Sequence, residues 1–327
     1  MAERKVMSLP EAVERFVQDG DTVYCGYLML PMALVMELVR QRKRHLELVG
    51  ASLVYQATML VLAGCADRVR TGYIQGALRP GSITERMADG RLRFEDYSNQ
   101  GIALMLMAGA LGIPFIPTRS FLGTDYLAPE NQHHTGHYPG YRKWQEMESP
   151  FDGQKAVLLP ALRPDVTIMH AQRADEEGNI QWWGHKGDAR WAFWAARRLI
   201  VTVEEIVPSD AVRSDPDRTA VPASRVAAVV HCPYGAHPSG VAGFYDFDYR
   251  FVGEVLAPAL DSDAAFAAFR GEWIDACPTH DAYLERVKAR YGPDALDVLK
   301  AEPHRPLLPV DYGFAPWFNL PVREDIP

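Results

Sequence analysis

The sequence predicts an α/β fold with a mainly parallel sheet covered on both faces. Two observations lead there. Short apolar strand patterns are separated by helix patterns, and the habit recurs in both halves of the chain. The chain has 327 residues and 48% hydrophobic content, enough for one large domain or two smaller ones.

The elements follow in order. In "SLPEAVERFVQDGD", Ser8 reads as the N-cap of a helix, Pro10 and Glu11 sit in its first turn, and Gly20 stops it. "TVYCGY" is a short buried strand ending in glycine, and "PMALVMELVRQRK" a helix with Pro31 in its first turn. "HLELVGAS" is a strand that breaks at Gly50, "TMLVLAGCA" a helix, and "VRTGYIQG" a strand ending at Gly76. In "RLRFEDYSNQGIALMLMAGALGIPFIP", a charged start gives way at Asn99 to an apolar helix pattern. Farther on, "VLLPAL", "VTIMHAQ", "LIVTVEEI" and "VAAVVHCP" read as strands, with a helix in "DARWAFWAARR". "DEEGN" is a tight hairpin in which Gly178 supplies positive φ, and "NIQWW" is the return strand. Residues 124–153 read as a long loop over the sheet, and 302–327 as an extended arm rich in proline and aromatics.

Composition narrows the function. The formal net charge is −8, and the one basic run, "RQRKRH" at 40–45, reads as a solvated helix end favoured by the dipole, so a nucleic-acid binder is not expected. No apolar run reaches the roughly 18 residues of a membrane span, and the charged, amphipathic start does not read as a secretory signal. The four cysteines, Cys25, Cys65, Cys232 and Cys277, form no CxxC pair and read as reduced thiols of a cytoplasmic protein. His133, His134 and His137 crowd the long loop with only Glu130 nearby, which reads as a polar loop and not as a metal site.

Ligands of open α/β sheets bind at the carboxyl ends of strands, which puts Gly26, Gly76, His170, Glu204, Glu205 and His231 at the first place to look. "VYCGYLMLPMA" offers helix-start amides for an anion, but with one glycine and no GxGxxG it does not support a dinucleotide fold. His170 is either an acid–base group or, the favoured reading at the end of a buried strand, a hydrogen-bonded structural residue. "PYGAHPSGVAGFYDFDYRF" (233–251) is built for one shape, either lining a ligand cleft or wedged into a subunit interface. For Glu95 and Asp96 the favoured reading is the start of a helix, with Asp96 or Ser98 as N-cap; a catalytic carboxylate would need burial or a like-charge neighbour.

Taken together, "DGDTVYCGY" with "PMALVMELVRQ", "FEDYSNQG…AGALGIPFIPTRS", "DVTIMHAQRADEEGNIQWWG", "LIVTVEEIV" and "PYGAHPSGVAGFYDFDYRF" followed by "FRGEWIDACPTHDAYLERV" resemble the A (α) subunit of family I coenzyme A-transferases, most closely the glutaconate type. The resemblance runs from about residue 4 to about 292 and implies a three-layer α/β/α fold; the domain is expected over residues 1–300, with 301–327, which the resemblance does not place, as a separate arm on its prolines and aromatics. It implies an obligate B subunit of related fold, an α2β2 assembly, and CoA as substrate with no permanently bound cofactor. It places the attacking glutamate on the B chain and much of the acyl pocket on this one. Within that picture Gly26, Gly76 and Gly123 are candidate oxyanion amides. Gln75, Ser82, Asn99 and Thr124 are candidate substrate hydrogen-bonders, and Arg79 and Arg119 could hold a carboxylate. The first loop departs from the family: Cys25-Gly26 stands where two glycines are usual, and the apolar "YLML" hints at a larger or less charged acyl group. Relatives that hydrolyse or decarboxylate CoA esters leave Glu95 and Asp96 as candidate catalytic residues, and a non-catalytic CoA-ester-binding chain is a third possibility.

Overall fold

The computed structural model describes residues 5–26, 28–75, 81–133 and 141–301. Its strands are β1 (Thr22–Tyr24), β2 (Leu46–Gly50), β3 (Ala66–Thr71), β4 (Arg93–Asp96), β5 (Phe115–Thr118), β6 (Gln145–Glu148), β7 (Lys155–Pro160), β8 (Val166–Asp175), β9 (Ile180–Gln181), β10 (Arg198–Val207), β11 (Thr219–Val221) and β12 (Ala228–His231). Seven of them form one parallel array in the order β12-β10-β8-β1-β2-β3-β4. The short β9 and β11 add antiparallel pairing beside the far end of β8. Strand order runs outward in both directions from the β1–β8 pair, so the fold has a topological switch point there.

Successive residues of a strand face opposite sides, and here both sides are buried. Val23, Leu48, Ile168, Ile200 and Val230 enter one apolar cluster, which also contains the helices Leu9–Phe16, Met32–Arg40 and Tyr55–Leu62. Their neighbours Tyr24, Val49, Met169, Val201 and Val229 enter the other, with residues of the helices Asn99–Leu111 and Ala189–Ala195. The result is a three-layer α/β/α fold. Each fully buried aliphatic side chain contributes about 1.5–3 kcal/mol relative to exposure. All four cysteines are free and buried. Burial pushes the Cys25 and Cys65 thiols up to about 12, which keeps them unreactive.

Beside the switch point, Asp188 ties β1 to the end of β2. Tyr24 Oη donates to Oδ1 at 3.1 Å and the Ala51 amide to Oδ2 at 2.9 Å. Burial nonetheless pushes this carboxyl above its ordinary range, outweighing the donors.

The structure corrects several expectations. "VLLPAL" does not join the parallel sheet: β7 lies between β5 and β6 in a separate three-stranded antiparallel sheet. That sheet draws on the 124–153 segment, where β6 replaces part of the expected loop. β3 ends at Thr71, and Ile74 makes only an isolated bridge to Leu53. The first helix ends at Phe16, before Gly20. Glu95 and Asp96 do not start a helix; they end β4, and Ser98 alone caps the helix Asn99–Leu111, its hydroxyl accepting from the Gly101 amide at 2.9 Å. Residues 302–327, expected to form an arm, lie outside the described residues.

Two expected outcomes follow from this packing. A β-carbon at Gly109 would sit 2.1 Å from the Leu162 carbonyl oxygen, which is fixed by the Leu162 amide bonding to Met105. Gly109→Ala should therefore destabilise by about 1–3 kcal/mol despite alanine's helix propensity. Gly271→Ala, with φ −57 and nothing within 4 Å, should stabilise by about 0.5–1 kcal/mol; urea midpoints of both variants check the opposite signs. An acid whose folded pKa is raised loses its proton first in the unfolded chain, so Asp188 costs stability as pH rises from its ordinary 3.8 through its folded value. Asp188→Asn removes that cost, so the variant should gain on the wild type as pH is raised from about 4 to 7. A pH-independent difference in denaturation midpoint would contradict the effect of burial.

Candidate functional site

A cavity of about 680 Å³ opens at the carboxyl ends of β1, β2 and β3, where the loop after β1 meets the loops after β9 and β12. This is the edge on which open α/β sheets bind ligands, and the volume is that of an ordinary ligand site. Met29 and Leu30 come from the first loop, Val54 and Tyr55 from the second, Trp183 from the segment after β9, and Ser239 to Phe247 largely from the 233–251 loop. Leu28 and Met29 have positive φ values of 49° and 35°, a backbone region that costs energy for residues with side chains and that concentrates at binding sites. Gly26, at φ 82°, precedes them; a β-carbon there would lie 2.6 Å from the Pro31 ring. Trp182 Nε1 contacts Met29 Sδ at 3.4 Å, and Leu30 N donates to Ser239 Oγ at 3.3 Å, so the first loop is anchored to both neighbours.

Under the 233–251 loop lies a buried acid. Glu204 accepts hydrogen bonds from Tyr245 Oη at 2.9 Å and the Tyr234 amide at 2.9 Å, and Oε1 lies 2.6 Å from His170 Nε2. His170, fully buried, has its Nδ1 2.8 Å from Thr202 Oγ1. The structural reading of His170 is the one this geometry supports. Burial and the adjacent Glu204 charge hold the Tyr245 phenol well above its usual range, so it stays a donor. His231 Nε2 reaches the Glu204 carbonyl at 3.2 Å, and Glu205, exposed, stands on the same strand.

Of the residues named from sequence, Gly26, Gln75 and Asn99 do not line the cavity themselves but are bonded to segments that do; Gln56 Nε2 donates to the Gly26 carbonyl at 3.2 Å. Asn99 Nδ2 donates to Ser52 Oγ, a cavity residue, at 3.0 Å. Gln75 is fixed through its backbone to Leu53 and Thr58. Arg119, Gly123 and Thr124 do not line the cavity; they lie on the loop after β5, which packs through Phe121 against Gly101 in the helix that begins at Asn99. Gly76, Arg79, His134, His137 and the Ser82 side chain lie outside the described residues. Among the described residues no group of three or more His, Cys, Asp or Glu is arranged to hold a metal ion, and His133 is exposed.

Glu95 is 1% exposed and 3.5 Å from Lys143 Nζ, which also faces the rings of Tyr97 and Tyr126 at 5.1 and 5.9 Å. Asp96 is exposed; partial burial raises its carboxyl, with Lys143 opposing. Neither acid lines the cavity. Sequence reasoning singled out the apolar loop that carries Met29 but missed Val54, Tyr55 and Trp183, whose apolar side chains carry the same signal as core residues. It did single out the 233–251 loop by its glycines and prolines.

The Glu204 cluster yields a direct expectation. Glu204→Ala strands three donors in the core and should cost about 3–5 kcal/mol, against about 1–2 kcal/mol for Tyr245→Phe. Chemical denaturation measures both, and equal losses would deny Glu204 its central place.

Residues 6–232 match the family model described as Coenzyme A transferase. The chain is 36% identical over 279 residues to the A-type subunit of the 3-oxoadipate CoA-transferase of Pseudomonas knackmussii, covering 83% of this chain and 93% of that one. It is 33% identical over 301 residues to the A-type subunit of the glutaconate CoA-transferase of Acidaminococcus fermentans, covering 87% and 92%. The crystal structure of glutaconate coenzyme A-transferase from Acidaminococcus fermentans superposes with a TM-score of 0.82 at 31% identity, covering 96% of this chain and 99% of that one. Family match, sequence similarity and superposition agree: the chain belongs to the coenzyme A transferase family, within its A-type subunits.

Proposed function

We propose that this A-type CoA-transferase chain supplies the acyl half of an active site that a B subunit of related fold completes, in an α2β2 assembly in the cytoplasm. Among the described residues no helix is long and apolar enough to cross a membrane. The observation that carries the proposal is the rim of the cavity. Leu28, Tyr73 and Tyr249 line it and are 44%, 42% and 60% exposed, an apolar edge around an open mouth that a second polypeptide would cover.

In the proposed reaction a glutamate carboxylate of the partner attacks the thioester carbonyl of the acyl-CoA. The C–S bond breaks, CoA leaves as thiolate, and an acyl–glutamyl anhydride remains. The thiolate attacks the glutamyl carbonyl, releasing the acyl group as carboxylate and leaving a glutamyl-CoA thioester. The acceptor carboxylate then repeats both steps in reverse order. A carboxylate is a weak nucleophile, so the site must hold it against the thioester and exclude water. Gly26, Gly76 and Gly123 are the candidate amides for the tetrahedral oxyanion. Gln75, Ser82, Asn99 and Thr124 are the candidate hydrogen-bonders, and Arg79 and Arg119 the candidate carboxylate partners. Glu95 we assign to holding Lys143 beneath the loop after β5, and Asp96 to the solvated end of β4.

The co-expressed pair should move CoA from an acyl-CoA to an added carboxylate and release little free CoA without one. Borohydride added with acyl-CoA should inactivate it by reducing a glutamyl thioester on the partner chain. Free CoA formed at the same rate without acceptor would favour a hydrolase. Binding without turnover would favour a non-catalytic chain.

A further inference from the structure

The geometry points to an acyl group that is apolar to its far end: the cavity assigns this transferase to monocarboxylic acyl-CoAs of medium or bulky chain, not to dicarboxylic ones. The inference rests on the proposed function, since it concerns which acyl group that site holds.

Aliphatic and aromatic side chains dominate the walls. Met29 and Leu30 are 5% and 4% exposed, and Val54, Tyr55, Val241 and Phe247 continue the apolar surface. Among the described lining residues none is lysine or arginine; apart from the tyrosines, the ionisable side chains are Asp246, an acid, and a single histidine, His185. Three of the polar side chains have other duties. Ser239 Oγ accepts from the Leu30 amide, Ser52 Oγ from Asn99, and Tyr245 Oη donates to Glu204. The nearby guanidiniums of Arg173 and Arg218 stack on Trp183 at 5.5 and 4.7 Å, and are bonded to Gln181 and Asp215.

A distal carboxylate entering this space would lose its water and meet no lysine or arginine among the described lining residues, and an unpaired buried charge is among the most costly groups to place. A terminal methyl, a branched chain or a ring would gain by displacing water from apolar walls. At about 680 Å³ the cavity also has room for more than a short acyl chain.

The test uses the co-expressed pair, acetate as acceptor, and two donors of equal chain length. Hexanoyl-CoA ends in a methyl group where adipoyl-CoA ends in a carboxylate. We expect kcat/KM for hexanoyl-CoA to exceed that for adipoyl-CoA by about tenfold or more, with cyclohexanecarbonyl-CoA also accepted. Leu28→Arg places a cation on the rim in a conformation no harder for arginine than for leucine. It should narrow the ratio about tenfold by raising the adipoyl-CoA rate. If that variant no longer co-elutes with its partner, Val54→Arg on the loop after β2 replaces it. Transfer that favours adipoyl-CoA would overturn the assignment and leave the transferase reading standing. So would a ratio unmoved by arginine in a variant that still co-elutes. Absence of transfer from every acyl-CoA, with no thioester trapped by borohydride, would overturn both.

Discussion

One buried carboxylate sets the shape of the ligand edge. Glu204 lies at the carboxyl end of β10, removed from water, where an uncompensated charge would be prohibitive. Three donors from two parts of the chain converge on it: His170 from β8, and Tyr234 and Tyr245 from the loop after β12. The energetic need of the acid thus becomes a geometric constraint on the loop. Satisfying Glu204 brings Tyr245 to the cavity wall and presses Gly235 against the His170 ring, where a β-carbon would stand 2.9 Å from Nδ1. The glycine is required by that contact and not by its backbone angle.

A second clamp fixes the far end of the same loop. His237 Nδ1 is 2.7 Å from Tyr283 Oη, and Nε2 is 3.0 Å from Asp248 Oδ2. Burial works to raise the Asp248 carboxyl, but the His237 ring and the Phe251 amide outweigh it and hold the acid below its usual range. Tyr283 belongs to the helix His280–Tyr291 and packs edge-on against Phe251 and Trp273. The loop is therefore held by the sheet at one end and by the C-terminal helices at the other. A wall built this way keeps its form before ligand arrives, which lowers the entropy cost of binding.

What is legible in the sequence follows from burial. β1, β2, β8 and β10 are readable because both faces of a parallel sheet are covered, which leaves continuous apolar runs such as Leu199–Val203. The same signal says nothing about which sheet a run joins, and β7 is misplaced for that reason. β4 escapes notice because "RFED" is a charged edge strand paired only to β3, with the strong cap Ser98 directly after it. The loop after β12 declares itself through glycine and proline, whose special backbone needs are visible in one dimension. Most of the cavity's apolar residues do not: Val54, Tyr55 and Trp183 differ from core residues only in facing a space, and a space has no letter in the sequence.

The carboxylates of this chain bear on the division of labour proposed for the two chains. A nucleophilic carboxylate must meet the thioester with its lone pairs free. Glu204 spends its oxygens on three donors, Asp188 on Tyr24 and Ala51, and Glu95 faces Lys143. Each is fixed by the fold, and each would have to leave its partners to attack. Asp246 is the acid that lines the cavity, and its Oδ1 accepts from the Phe247 amide at 3.0 Å. The walls are therefore suited to gripping an acyl chain, while the open, apolar mouth faces outward where a second surface would close it. A nucleophile delivered on that second surface would arrive together with the exclusion of water, so that the thioester is exposed to attack only once hydrolysis has been shut out.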